Sequence, residues 1–253
     1  MLKLWINFMN ENADKWPKVF PELNEEQKWI RNDFVKYLYT IFPNKFSFLE
    51  RFNNNYIIKN RPATFTKSLE IGAGLGEHIF HENLSGIQRK NYIALELREN
   101  MAEGIRSNHP DIQVWVGDCQ DQIPASDGEF DRVIASHVLE HLPNLPRAIK
   151  EIYRVCNKQT AIFSVVIPCE GGLSHSMGRK VSVQRLFEKK YRQPYKWFIE
   201  REHVNVPHEI FEEILPYFCL VSSEFFPFKF LPFVWCNLCI GLTFKPKPKL
   251  DSK

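Results

Sequence analysis

Hydrophobic residues recur along this chain with two different periods. Between Asn24 and Pro43 they are spaced three and four residues apart, which predicts an amphipathic helix. Asn24 and Gln27 form a capping-box pattern at its start, and Pro43 is predicted to end it. Residues 46–61 are rich in aromatic residues and asparagine, and we interpret them as a second short helix that covers the active site.

From Phe65 onward, short apolar runs alternate with helical patterns. This alternation is typical of β-α-β units and predicts a doubly wound α/β fold with a mostly parallel sheet. The predicted strands are 68–71, 92–96, 113–117, 130–136, 161–167, 219–225 and 237–244. The predicted helices are 78–84, 101–108, 145–156 and 207–217.

One segment interrupts the alternation. Residues 170–206 are basic and aromatic and contain no predicted strand, so we interpret them as a substrate-side insertion after the fifth strand. We therefore divide the chain into an N-terminal helical cap, 1–64, and a larger domain, 65–253.

The strongest motif is a loop of alternating glycines that follows the first predicted strand. Gly72, Gly74 and Gly76 allow a sharp turn and a close approach of the backbone to a ligand. Their spacing is Gly-x-Gly-x-Gly, whereas the dinucleotide fingerprint is Gly-x-Gly-x-x-Gly, which argues against a nicotinamide cofactor. Glu70, just before the loop, favours a cationic ligand over a pyrophosphate.

Three further strand ends are expected to meet this loop, because the carboxyl ends of parallel strands line one crevice. Glu96 ends the second strand, 20 residues after Gly76, which is the spacing at which an acid meets ribose hydroxyls. Asp118 is placed to accept a hydrogen bond from an adenine amino group, with the backbone amide of Cys119 beside it. Two more predicted cofactor-binding residues close the fourth strand: Ser136 and His137.

These residues resemble the class I methyltransferases, particularly the branch with a methyltransferase type 11 domain. The resemblance covers about 65–167 and includes the strand and glycine loop of 69–76, Glu96, Asp118 and the run 130–142. It implies a Rossmann-like sheet of seven strands with an antiparallel last strand. It also implies methyl transfer from S-adenosyl-L-methionine, whose ammonium and sulfonium groups suit a nearby carboxylate.

Several polar residues are candidates for the acceptor side. A sulfonium methyl is already electrophilic, so transfer mainly requires a positioned nucleophile, and a general base would help a hydroxyl acceptor. His141, His203 and Glu170 are the predicted catalytic residues, with His137 and His175 as further candidates for a base. His137 and His141 lie one helical turn apart, but the His-Glu-x-x-His order is absent, so no metal site is predicted.

The basic segment 178–192 favours a small or carbohydrate-like, anionic acceptor, although a solvated helix face explains it equally well. The apolar segment 225–235 indicates core filling, a homodimer contact or a peripheral contact with a lipid surface.

Composition restricts the classes of function and cellular location that remain. A net charge of +3 gives no general support for nucleic-acid binding. The six cysteines are scattered through a long chain, and no apolar stretch is long enough for a membrane span, so we expect a cytoplasmic protein. Two alternatives stay open: an NAD(P)-dependent oxidoreductase, and a catalytically silent cofactor-binding or scaffold protein.

Overall fold

The computed structural model describes residues 15–248 and contains a seven-stranded sheet. The strand order is β3-β2-β1-β4-β5-β7-β6, and β7 runs in the opposite direction to the other six strands. This is the predicted doubly wound sheet with an antiparallel last strand. The strands are β1 (Ser68–Ile71), β2 (Tyr92–Glu96), β3 (Gln113–Val116), β4 (Arg132–Ser136), β5 (Ile162–Pro168), β6 (Phe218–Phe226) and β7 (Cys239–Pro246).

Helices cover both faces of the sheet. They are α1 (Glu25–Lys45), α2 (Ser47–Lys59), α3 (Glu77–His81), α4 (Gly86–Lys90), α5 (Glu99–Asn108), α6 (Leu145–Val155), α7 (Leu173–Arg179), α8 (Arg185–Tyr191), α9 (Lys196–Glu202) and α10 (Pro207–Ile214). A 3₁₀ turn spans Leu139–His141, and a π-helical turn, Lys180–Gln184, joins α7 to α8.

Two helix predictions were wrong in detail. The capping box of α1 is present, because the Asn24 and Gln27 side chains bond each other's backbone amides. However, α1 continues to Lys45, since a proline removes one helical hydrogen bond without forcing the chain out of the helix. The predicted helix 78–84 is the shorter α3, followed by α4, which Ser85 and Gln88 cap in the same reciprocal way.

Alternating strand residues fill the two sides of the sheet. Leu69 and Ile71 of β1 point into the core formed with α6 and α10, whereas Tyr92 and Ala94 of β2 pack on the other face near α2, α3 and α5. The chain direction across the sheet reverses at β1, which pairs with both β2 and β4. The carboxyl ends of β1 and β4 therefore mark the topological switch point, where α/β sheets bind ligands.

The N-terminal helix and the insertion pack together. Phe34 of α1 is fully buried against Phe187 and Phe198, with ring centroids 5.0 and 5.3 Å apart. Asp33 accepts hydrogen bonds from Lys190 and from the Tyr191 hydroxyl, at 2.7 and 2.6 Å. The insertion, 170–206, lies entirely within the described residues and contains no strand, as predicted; it folds as the helices α7, α8 and α9, and α10 begins directly after it. The first 14 residues of the predicted cap, 1–64, and the end of the larger domain, 249–253, lie outside the described residues.

The second helix, α2, docks on the sheet through one tyrosine. The Tyr56 ring lies over Gly241 of β7, where an added Cβ would come within 2.4 Å of it. Its hydroxyl lies 2.9 Å from the Thr243 hydroxyl. This contact fixes α2 above the carboxyl ends of β4 and β5.

The apolar connection between β6 and β7 does not fill the core. Phe230 is 97 % exposed, and Phe228, Leu231, Phe233 and Trp235 are also exposed. The Asn237 side chain bonds the Leu231 and Phe233 carbonyls, which holds the connection outside the sheet. The homodimer and lipid-surface interpretations of 225–235 stay predictions. Within 15–248, no helix is both long enough and apolar enough to cross a bilayer.

Candidate active site

The glycine loop needs its glycines for two reasons. Gly72, Gly74 and Gly76 have φ of +64°, +61° and +82°, in the left-handed region that residues with a Cβ avoid. A Cβ on Gly72 would also lie 2.5 Å from Val138 Cγ2, because β1 and β4 approach closely at the switch point. The loop thus brings bare backbone to the carboxyl end of the sheet.

Glu96 is buried directly beside this loop. Its Oε2 accepts a hydrogen bond of 3.0 Å from the Gly74 amide, and its Oε1 accepts one of 3.1 Å from the Arg98 amide. The Arg98 side chain also reaches the Tyr39 hydroxyl of α1, at 3.2 Å. Sequence reasoning missed Arg98 and Tyr39, and it also missed Leu97, an apolar side chain that is 62 % exposed next to Glu96.

The third strand contributes a second acid near the same edge. The Asp118 carboxylate accepts hydrogen bonds from the backbone and side chain of Gln120. Burial raises the pKa of the neighbouring Cys119 thiol to about 12, so this thiol is protonated and unreactive at neutral pH. Only the backbone amide of Cys119 therefore stays a candidate for cofactor recognition.

Glu70 lies deeper than the sequence suggested. It is 3 % exposed, and it accepts a hydrogen bond of 2.7 Å from the Tyr92 hydroxyl. Burial raises its pKa, although His78 and Arg132 oppose that effect. Its side chain belongs to a buried polar cluster on the α3 side of the sheet, and its predicted role in cofactor binding stays a prediction.

The end of β4 carries an unusual backbone conformation. His137 follows Ser136 with φ of +54°, and its two ring nitrogens face partners on both sides. Nδ1 lies 3.1 Å from Glu140 Oε1, and Nε2 lies 3.0 Å from Asn53 Nδ2 of α2. Burial would lower the pKa of His137, but hydrogen bonds with Cys239 and Glu140 raise it to about 10.

A buried carboxylate that sequence reasoning missed lies at the centre of the acceptor side. Glu140 is 1 % exposed and lies close to three imidazoles, those of His137, His141 and His203. Burial favours the neutral acid, but the hydrogen bond with His137 and the charges of the other two imidazoles lower the pKa of Glu140 to about 2. The position of Glu140 in the sequence, directly before the candidate base His141, was a signal that could have identified it.

Two of the three predicted catalytic residues, His141 and His203, lie beside this carboxylate, and the third, Glu170, is bonded to His203. The rings of His141 and His203 are 5.1 Å apart, and His203 Nδ1 lies 2.8 Å from Glu170 Oε2. Glu170 begins the insertion and His203 lies three residues before its end, so their hydrogen bond closes it at its base. The pKa of Glu170 is lowered to about 2 by His203, His175 and Arg179, in spite of burial, which opposes this shift.

A depression of about 370 Å³ opens next to this cluster. Lys18, Arg31 and Arg201 line it together with His141. Lys18 is paired with Glu209 and Arg31 with Glu202, whereas within 15–248 no ion pair is formed by Arg201, which lies over the Phe20 ring. Most basic residues of 178–192 are instead exposed, which agrees with a solvated helix face.

Comparisons with known proteins agree with this geometry. Residues 69–163 match the model of the methyltransferase domain family. Among curated proteins, none matches the chain.

Three solved structures share the fold. An S-adenosylmethionine-dependent methyltransferase of Thermotoga maritima is 20 % identical, with a TM-score of 0.58, over 86 % of this chain and 98 % of its own. A chain of the Haloferax volcanii complex that contains the Trm112 methyltransferase activator is 12 % identical, with a TM-score of 0.58, over 90 % and 100 %. A TehB-like S-adenosylmethionine-dependent methyltransferase of Corynebacterium glutamicum is 18 % identical, with a TM-score of 0.51, over 77 % and 87 %.

The fold and the domain match together define the class of this protein. Residues 69–163 are a methyltransferase domain, and the fold around them is that of class I S-adenosylmethionine-dependent methyltransferases. The cofactor of this domain is S-adenosyl-L-methionine. The left-handed backbone of the glycine loop and the buried acid that bonds the Gly74 amide fit this cofactor, and the nicotinamide alternative is set aside.

Proposed function

We propose that the chain methylates a small, anionic, carbohydrate-like acceptor that binds at the carboxyl ends of β4 and β5. The observation that carries the proposal is the depression lined by Lys18, Arg31, Arg201 and His141. Its volume of about 370 Å³ is in the range of small-molecule sites. Cationic side chains at its wall suit a phosphate or carboxylate on the acceptor.

The depression and the cofactor loop are joined by one short segment. Val138 lies against Gly72, and His141 follows it at the end of a 3₁₀ turn. Such a turn rises about 2 Å per residue, so about 6 Å separates the two positions along its axis. An acceptor bound against His141 would therefore lie close enough to be positioned for transfer.

On the cofactor side, we propose that Glu96 binds the ribose hydroxyls, and that Asp118 and the Cys119 amide bind the adenine. Ser136 and His137 then border the methionine part. The cofactor supplies an electrophilic methyl group. The residues of this chain orient the two ligands, exclude water and, through the cluster of His141, His203 and Glu170, hold the acceptor.

The test is labelling of a whole cell extract, which contains small molecules, proteins and nucleic acids. The purified chain is incubated with the extract and with isotopically labelled S-adenosylmethionine, and the products are identified by mass spectrometry. We expect an anionic small molecule to carry the label, with at least tenfold less product from Glu96→Ala. The matched control is Glu99→Ala, an exposed acid on α5 that pairs with Arg106 and should leave the yield unchanged.

Two results would contradict the proposal. A labelled protein or nucleic acid would exclude a small acceptor. Cofactor binding with no labelled product in any extract fraction would instead support the catalytically silent alternative.

A further inference from the structure

We propose that Glu140, His141 and His203 form a binding site for a divalent transition-metal cation, with Zn²⁺ as the preferred ion. One potential ligand atom of each residue lies within 4.8 Å of those of the other two. Imidazole nitrogens and a carboxylate oxygen are ligands that suit zinc and its neighbours in the first transition series. The sequence pair His137 and His141 did not predict this site, because the second imidazole comes from His203, 62 residues after His141.

Both imidazoles are held in the orientation that metal ligation requires. His141 Nδ1 lies 2.5 Å from the Glu202 carbonyl oxygen, and His203 Nδ1 lies 2.8 Å from Glu170 Oε2. Since both partners are acceptors, each Nδ1 carries the proton and each Nε2 keeps its lone pair. Metal-bound histidines are usually fixed in this way by a carbonyl or carboxylate behind them.

The Glu140 carboxylate is a second, independent indication of a cation site. Glu140 is 1 % exposed, and its Oε1 faces His137, but Oε2 is buried without a hydrogen-bond partner in the described part of the chain. An anionic oxygen that is buried and unpartnered is costly. A cation bound by the Glu140 carboxylate and by the two Nε2 atoms would neutralise this charge.

To bind a cation, the three ligand atoms would have to move only slightly closer together. Bonds of about 2.0 Å in a tetrahedral zinc site place the ligand atoms about 3.3 Å apart, so the side chains would move by about 1 Å. His141 Nε2 is already 3.9 Å from Glu140 Oε1. The two histidine side chains are partly exposed, 37 % and 22 %, so both can adjust.

Two histidines and one carboxylate leave a coordination position open, as in catalytic zinc sites. His141 also lines the cationic depression, so the open position would face the acceptor. The cation would then bind an oxygen of the acceptor, which makes a hydroxyl or carboxylate the favoured methylation site. This assignment of the acceptor oxygen rests on the proposed function, whereas cation binding itself does not.

The test is a metal titration of the full chain without cofactor or acceptor. The protein is stripped with a chelator and titrated with Co²⁺, whose visible absorption reports its ligands, and Zn²⁺ is then added to displace it. We expect one cation per chain, without a sulfur-to-cobalt charge-transfer band. His203→Ala should bind at least 100-fold more weakly, and Glu170→Gln, which removes the anionic partner of His203 and of Arg179, about 10- to 100-fold more weakly.

The control is His208→Ala, an exposed histidine of α10 that should bind the metal like the unaltered chain. Glu140→Gln provides a second ligand variant of unchanged size. The thermal unfolding midpoint should rise with Zn²⁺ for the unaltered chain and His208→Ala, but not for His203→Ala or Glu140→Gln. A cluster that only forms hydrogen bonds would show no such rise.

The inference is overturned if the unaltered chain binds no Co²⁺, or if His203→Ala binds it as tightly. Zinc binding by a chain that yields no labelled small molecule would refute the proposed function and leave the metal site standing. Undiminished methyl transfer in the presence of a chelator would refute the role of the cation in binding the acceptor.

Discussion

The crevice at the carboxyl end of the sheet has a cofactor face and an acceptor face, and the two are built from different kinds of sequence. On the cofactor face, one contiguous run from Gly72 to Gly76 sets the backbone, and Glu96 bonds it from the next strand. On the acceptor face, Glu140, His203 and Glu170 come from three separate segments and meet only in the folded chain. The first face depends on backbone shape, and the second depends on side chains that hold one another in place.

The cofactor face rests on a buried ionic cluster, and its loss should have the largest effect. Glu82 is fully buried, accepts hydrogen bonds from Arg61 and Arg132, and lies 2.8 Å from His78 Nε2. Breaking such a cluster from one side costs about 3–5 kcal/mol. We expect Glu82→Gln to lower the free energy of unfolding by that amount at pH 7, as measured with urea.

The same cluster predicts a pH dependence. Burial opposes the charge of Glu82, but His78 and Arg132 lower its pKa from 4.5 to about 2. A lowered pKa gives stability that is present above about pH 4.5 and lost as the pH falls toward 2, with a size of about 3 kcal/mol. Glu82→Gln should lack this loss. Exposed Glu25→Gln is the control, and an equal acid sensitivity of all three chains would refute the assignment.

The shape of the loop should have the next largest effect. Gly72→Ala places a Cβ 2.5 Å from Val138 Cγ2 and forces a residue with a Cβ to φ of +64°. We expect at least 100-fold weaker binding of S-adenosylhomocysteine, or about 3 kcal/mol, by calorimetry. Gly86→Ala is the matched control, because its Cβ would meet nothing within 4 Å. Equal losses in both variants would show that the loop shape is not the cause.

The acceptor face should respond to charge and not to backbone shape. Arg201 lines the depression without an ion pair in the described residues. Arg201→Ala should raise the KM of the acceptor identified by labelling about tenfold, or about 1.4 kcal/mol, and leave the cofactor dissociation constant unchanged. Arg185→Ala, in the exposed basic segment, should change neither. A reversed pattern would place the acceptor on the basic segment 178–192.

The smallest effect is expected where the N-terminal helix reaches the cofactor face. Tyr39→Phe removes the hydroxyl that accepts from Arg98, at 3.2 Å, and so loosens the side chain that bonds Glu96. We predict two- to fivefold weaker S-adenosylhomocysteine binding, within about 1 kcal/mol. Tyr37→Phe on the same helix is the control, and an effect of equal size there would remove Tyr39 from the site.

These two faces also explain how far the sequence could predict the molecule. The strand patterns, the glycine loop and Glu96 were readable because each is a local rule of backbone geometry or spacing. The helix α4 was missed although Ser85 and Gln88 form a capping box. Residues of the acceptor face were found singly, as polar residues after strands, but their meeting point at Glu140 depends on how the insertion folds back.

Exposure was the least predictable property. The apolar segment 225–235 looks like core in sequence, yet Phe230 is almost fully exposed. Hydrophobicity alone does not tell which apolar residues the sheet can cover. Hydrogen bonds of Asn237 with the Leu231 and Phe233 carbonyls and with the Phe228 amide hold the connection in its outward position.

Calorimetric titration of the unaltered full chain tests the central claim most directly. S-adenosylhomocysteine and NAD are titrated separately, and Glu96→Ala is titrated in parallel. The account predicts one S-adenosylhomocysteine site per chain, at least tenfold weaker binding in Glu96→Ala, and no measurable binding of NAD. An absence of heat with S-adenosylhomocysteine, or an affinity that Glu96→Ala leaves unchanged, would contradict it.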